Sequence, residues 1–188
     1  MSTLFGITGG PRSGTAFMAN LMSYGSDSWC FHECERDLVG VPPDDQVSIV
    51  MDRMELKPHW YVGNSSSGMI FWGQFNCPLV VIHRDWDEIE HSLNEAMVEW
   101  EQHIRITSEQ IGQMKEALDR LCAINPDALH VNFKDLFDVD ALEAIWRHCM
   151  PCILPQRDRF EELIRWKVTV KEWTYSDAGK GELLCLQQ

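Results

Sequence analysis

Seven residues near the start of this 188-residue chain, Gly9-Gly10-Pro11-Arg12-Ser13-Gly14-Thr15, are of the types that hold a phosphate or sulfate group. Glycines let the backbone pass close to a ligand. Where such a turn runs into a helix, several backbone N–H groups are left unpaired and aimed at one point, so an oxyanion can accept them. Arg12 adds a permanent positive charge, and Ser13 and Thr15 add hydroxyls. A matching cation and hydroxyl lie downstream, where Arg84 ends the apolar run Leu79-Val80-Val81-Ile82-His83 and Ser92 follows eight residues later.

The elements that position these groups alternate along the chain. Leu4 to Thr8 reads as a first strand, Thr15 to Tyr24 as a helix and Trp29 to Phe31 as a short second strand. Between Asp44 and Glu55, Val47, Val50, Met51 and Met54 recur at helical spacing. Trp60-Tyr61-Val62 is a strand candidate, and Asn64-Ser65-Ser66-Ser67-Gly68 reads as a polar loop or helix start. Leu79 to His83 is the most strand-like run. After it, Ile89, Leu93, Met97, Trp100 and Ile104 form one apolar stripe of a long helix. A further helix spans Ser108 to Ala123 and is stopped by Asn125-Pro126. Strands alternating with helices, with anion-binding turns at strand ends, imply an α/β fold of three layers: a doubly wound, mainly parallel sheet of the P-loop nucleotide-binding type, covered on both faces. Ligands of such sheets sit beyond the carboxyl ends of the strands.

The usual nucleotide-triphosphate loop places a lysine directly after its second glycine, to reach the terminal phosphates. Here Thr15 follows Gly14, and the cation has moved to Arg12. The run Pro-Arg-Ser-Gly-Thr resembles the 5′-phosphosulfate loop of the sulfotransferases that use 3′-phosphoadenosine 5′-phosphosulfate (PAPS), in the manner of short bacterial or viral members. Arg84 with Ser92 resembles the 3′-phosphate site of the same family. Val131-Asn132-Phe133-Lys134-Asp135-Leu136, followed by Val139, Leu142, Ile145 and Trp146, is similar to the family's strand, turn and late helix. The resemblance covers the chain to about Cys149. Beyond it, residues 150–188 read as a helix and a tail, in which Ala178-Gly179-Lys180-Gly181 only faintly matches the family's closing segment.

The resemblance implies transfer of a sulfuryl group from PAPS to a hydroxyl or amine of a small molecule or glycan, leaving adenosine 3′,5′-bisphosphate (PAP), with no metal required. Arg12, Ser13, Gly14 and Thr15 would hold the 5′ end, Arg84 and Ser92 the 3′-phosphate, and Phe17 the adenine. Phe17 can equally pack under the sheet, and Arg84 can pair with Asp85, Asp87 or Glu88. Arg12 would also stabilise charge on the leaving group, although a guanidinium cannot serve as the proton donor that a lysine can. For the base, a carboxylate or imidazole within hydrogen-bond reach of the acceptor suffices. Glu33 is the first candidate, because it follows the second strand as the catalytic glutamate does in glycan-directed members. His59, in a Lys57-Pro58-His59 turn, is the second, and His32 the third. A nucleotide-binding or assembly module on the same fold, and a P-loop kinase of a small metabolite, remain as other readings.

Composition bounds the partners. With 16 basic and 29 acidic residues the formal net charge is −13, which disfavours nucleic acid and anionic membrane surfaces. The anion site must therefore be local. No run of about twenty apolar residues reads as a membrane span, and the N-terminus lacks a basic region followed by an apolar core, so the expectation is a cytoplasmic chain forming one domain over residues 1–188. The chain has little material for a lid over the acceptor, which leaves room for a homo-oligomer or a large substrate to cover the site. Seven cysteines lack the spacing of a disulfide framework. Cys30 and Cys34 around His32, with Cys149 and Cys152 after His148, could supply zinc ligands only if both pairs met. Thiols packed in the core are the favoured reading.

Overall fold

The computed structural model describes residues 2–23, 27–38, 40–99 and 106–169. Five strands form one sheet: β1 (Thr3–Gly9), β2 (Ser28–His32), β3 (Tyr61–Ser65), β4 (Leu79–His83) and β5 (Leu129–Asn132). Their spatial order is β2-β3-β1-β4-β5, and every neighbouring pair is parallel. Parallel neighbours need crossovers, and helices supply most of them: α1 (Thr15–Met22), α2 (Pro43–Glu55), α3 (Trp86–Glu99) and α4 (Ser108–Ile124). Two more, α5 (Val139–Cys149) and α6 (Arg157–Thr169), follow β5.

Side chains alternate across each strand, and the two faces carry separate cores. Phe5 and Ile7 of β1, with Val80 and Ile82 of β4, pack against Met18 and Leu21 of α1, Leu142, Ile145 and Trp146 of α5, and Phe160 of α6. On the other face Val62, Leu79 and Val81 meet Val50 and Met54 of α2 and Leu118 and Leu121 of α4. Central strands β1 and β4 are apolar on both sides for this reason, as an all-parallel sheet requires. The expected doubly wound α/β architecture is thus observed.

One strand differs from the sequence expectation. Strand β3 starts at Tyr61, leaving Trp60 outside and 75% exposed, and it runs on through Asn64 and Ser65, which had read as loop. Those polar residues tolerate burial because they are satisfied: Ser65 Oγ donates to the Thr15 carbonyl (2.8 Å), and the Asn64 side chain bonds on both its oxygen and its nitrogen. Helix α4 starts at Ser108 as expected, and its cap is Thr107. Its hydroxyl accepts from Gln110 N, while the Gln110 side chain accepts from Thr107 N. Trp100 and Ile104 of the expected α3 stripe, and Ala178 to Gly181, lie outside the described residues.

Candidate functional site

All five strands point one way, so the turns after β1, β2, β3 and β4 gather at one edge of the sheet. The turn after β1 is the glycine-rich loop, and its glycines are there for space. A Cβ on Gly9 would run into the Ile82 carbonyl of β4 and the Ser13 hydroxyl. Gly14 has φ +94° and would place a Cβ 2.7 Å from Leu136 Cδ1, so both its backbone and its surroundings call for glycine. The loop closes on itself through Ser13 N, which donates to the Gly10 carbonyl (3.2 Å), and α1 starts at once behind it. Inside it, Ser13 is fully buried and its Oγ has no hydrogen-bond partner among the described residues. A buried hydroxyl left unpaired costs about 1–3 kcal/mol, the mark of a cradle that is built but not fully satisfied.

Arg12 sits on the rim with φ +62°, and Glu33 beyond β2 has φ +53°; among the described residues these are the non-glycine residues with positive φ. Such conformations cost of order 1–3 kcal/mol each and persist where surrounding structure imposes them, commonly at functional sites. The exposed Arg12 Nε donates to Ser92 Oγ of α3 (3.2 Å). The Arg84 guanidinium donates to the Arg12 carbonyl (2.6 Å), reaches Glu88 Oε2 (3.4 Å), and lies over the Phe133 ring at 4.4 Å. Phe133 opens the 3₁₀ turn Phe133–Phe137 after β5, whose Leu136 packs against the loop. Residues 12, 84, 92 and 133 therefore meet at one place, although they are drawn from four separate segments. Asp85 does not pair with Arg84 here; its carboxylate accepts from the backbone of Asp87 and Glu88 at the start of α3 (3.0 and 3.1 Å).

The edge beyond β2 and β3 has another character. His32, Glu33, Arg36 and Asp37 line an open cleft of about 370 Å³. Glu33 N donates to the Ser65 carbonyl (3.2 Å), which places Glu33 two strand spacings, about 10 Å, from the glycine loop and on the same edge. Burial pushes the His32 imidazole below its ordinary pKa. Hydrogen bonds from Arg53 hold the Asp37 carboxyl below the usual carboxylate range. Underneath lies a carboxylate that the sequence did not single out. Glu35 is buried, and accepts from Asn64 Nδ2 (2.9 Å) and from the Ser66 hydroxyl. Ser66 Oγ in turn accepts from Gly68 N (3.0 Å), and its carbonyl accepts from Thr8 Oγ1 (2.7 Å). This network ties the β2 turn to the ends of β1 and β3. A hint was available in the polar cluster Asn64-Ser65-Ser66, which needs a buried partner if it is to lie inside a sheet.

Two expectations are corrected. His59 precedes β3, at the amino ends of the strands, about 30 Å along the sheet from the loop. Its ring packs against Trp29 (5.7 Å between centroids) and its carbonyl accepts from Ser2 Oγ (2.6 Å), so it cannot serve as the base at this edge. Phe17 is 3% exposed inside the core, so it packs under the sheet rather than offering a face to a base. The two cysteine pairs likewise stay apart: Cys30 and Cys149 lie in one core cluster, Cys34 in the other, and Cys152 is exposed.

With this geometry in view, the chain is similar in fold to the crystal structure of a sulfotransferase from Alicyclobacillus acidocaldarius. The TM-score is 0.59 over 90% of each chain, at 13% sequence identity. At that identity the likeness is one of fold. No protein-family model matches the chain, and no curated protein matches it by sequence. Among the described residues no helix is long and apolar enough to cross a membrane.

Proposed function

We propose that this chain is a sulfotransferase that takes a sulfuryl group from PAPS and passes it to a hydroxyl or amine of a small molecule or glycan. The observation that carries the reading is the meeting of Arg12, Arg84 and Ser92 at the mouth of a glycine cradle containing an unpaired buried hydroxyl. Two guanidiniums and two hydroxyls suit a ligand with anionic groups at both ends. The sulfotransferase fold of the structural neighbour agrees with this assignment.

In this reading the loop amides, Ser13 and Thr15 hold the 5′ end of the donor. Arg84, kept planar against Phe133, and Ser92 hold its 3′-phosphate, which ATP lacks. The exposed Arg12–Ser92 contact is one that a ligand can exchange. Bound PAPS supplies the sulfuryl group and departs as PAP. The chain's own part is positioning and charge stabilisation. Arg12 neutralises charge on the leaving group without giving up a proton. Glu33 accepts the proton from the acceptor oxygen or nitrogen, and the adjoining cleft with His32, Arg36 and Asp37 receives the acceptor.

Incubation with sulfur-labelled PAPS and a panel of phenols, alcohols, amines and oligosaccharides tests this. Transfer of label to at least one class is expected, lowered about 100-fold or more in Glu33→Gln with PAP affinity unchanged. PAP binding with no transfer to any acceptor would leave a binding module instead.

A further inference from the structure

The opposite face of the sheet carries a cluster that the nucleotide reading does not use. His83 ends β4, His130 lies in β5, and Cys122 lies in the last turn of α4. In the β4–β5 register His130 stands opposite Val81, two residues before His83, so the two imidazoles are diagonal neighbours on one face of the sheet. Val81 itself packs with Leu118 and Leu121, which places α4 on this same face and brings Cys122 over the pair. His83 Nε2 and His130 Nδ1 are 2.7 Å apart with the rings stacked at 5.0 Å, and one nitrogen of each ring and Cys122 Sγ all lie within 4.8 Å of one another.

We propose that these three side chains form a binding site for a divalent transition metal, best suited to Zn²⁺. Two imidazole nitrogens and one thiolate are the donor set of a borderline-soft ion, and three protein ligands leave a fourth tetrahedral position for water. Tetrahedral zinc asks for about 3.4 Å between the nitrogens and about 3.6 Å from nitrogen to sulfur, so the donors need only small side-chain rotations. The close nitrogen pair is what two neutral imidazoles make when one N–H is shared. On metal binding that proton moves to the other ring nitrogen, and the Cys122 thiol releases its own, so one proton leaves per ion. Asp119, one turn before Cys122, adds negative charge nearby. His130 is exposed, which gives the ion a path in. The net charge of −13, unfavourable for a nucleotide, favours a cation. The site would bind β4, β5 and α4 together one residue from Arg84.

Metal-free full-length chain titrated with Co²⁺, and then with Zn²⁺ in competition against a chromophoric chelator, tests the proposal. One ion per chain is expected, with a thiolate-to-cobalt charge-transfer band. The band should disappear in Cys122→Ser and survive in Cys152→Ser, whose thiol is exposed elsewhere. His130→Ala, at an exposed position, should weaken zinc binding more than about 100-fold, beyond the loss seen on removing an outer-shell partner. Zinc should also raise the melting temperature of the wild type but not of Cys122→Ser. Failure of the wild type to bind either ion, or a band that persists in Cys122→Ser, would overturn the proposal.

Discussion

The two halves of the carboxyl edge are built differently. The glycine loop and its partners sit over central strands β1 and β4, and their geometry is set by backbone: a tight turn, positive φ at Gly14, and no room for a Cβ at Gly9. The Glu33 cleft sits beyond edge strand β2, and its geometry is set by side chains, with buried Glu35 joining turns about thirty residues apart through Asn64 and Ser66. A site made by backbone is fixed by local sequence; one made by a polar network depends on every member being satisfied. Substitutions in the first half should therefore change binding, and substitutions beneath the second should change stability.

The largest expected effect is at Gly9. Gly9→Val drives a branched side chain into the Ile82 carbonyl and Ser13, so PAP affinity should fall more than about 100-fold by calorimetry while the far-ultraviolet spectrum is retained. A variant that binds normally would show that the loop is not the cradle. Next comes Arg84→Ala, which loses a charged hydrogen-bonding group and its stack on Phe133. A loss of about 10- to 100-fold in PAP affinity is expected, with Arg84→Lys restoring little because an ammonium lacks the planar fork.

A pair of carboxylates sharpens the contrast between the halves. Glu35→Ala should cost about 1–3 kcal/mol of stability, because Asn64 and Ser66 lose a buried acceptor. Glu33→Gln should leave the melting temperature nearly unchanged and act on turnover. If both variants affect only stability, the cleft has no part in catalysis.

The smallest effect is in acid. His32 and His83 have lowered pKa values, chiefly from burial, so between the ordinary imidazole value of about 6.5 and the lower folded one the unfolded chain binds more protons. Their contribution is complete above the unfolded value and is lost as pH falls through the folded one. The melting temperature should decline modestly from about pH 7 to pH 5, and less in His32→Gln.

What the sequence made legible follows the same division. The loop, the strand ending at Arg84 and the spacing to Ser92 are local patterns, as are the helical spacings of α2 and α5 and the Asn125-Pro126 stop that ends α4. Glu35 was missed because its partners lie far along the chain, and Asn64 and Ser65 passed for loop because polar residues in a buried strand are explained only by those partners. His59 misled because a lysine–proline–histidine turn does not reveal which end of the sheet it occupies. Phe17 lay one helical turn from the loop, but its side chain faces the core. The His83, Cys122 and His130 cluster has no sequence signature, since a strand, a helix and another strand contribute one ligand each.

The most direct measurement is a calorimetric titration of the wild type, Arg84→Ala and Ser92→Ala with PAP and, separately, with ATP and magnesium. The account predicts that the wild type prefers PAP and that both variants lose that preference. Tighter binding of magnesium–ATP, or PAP affinity untouched by both substitutions, would contradict it.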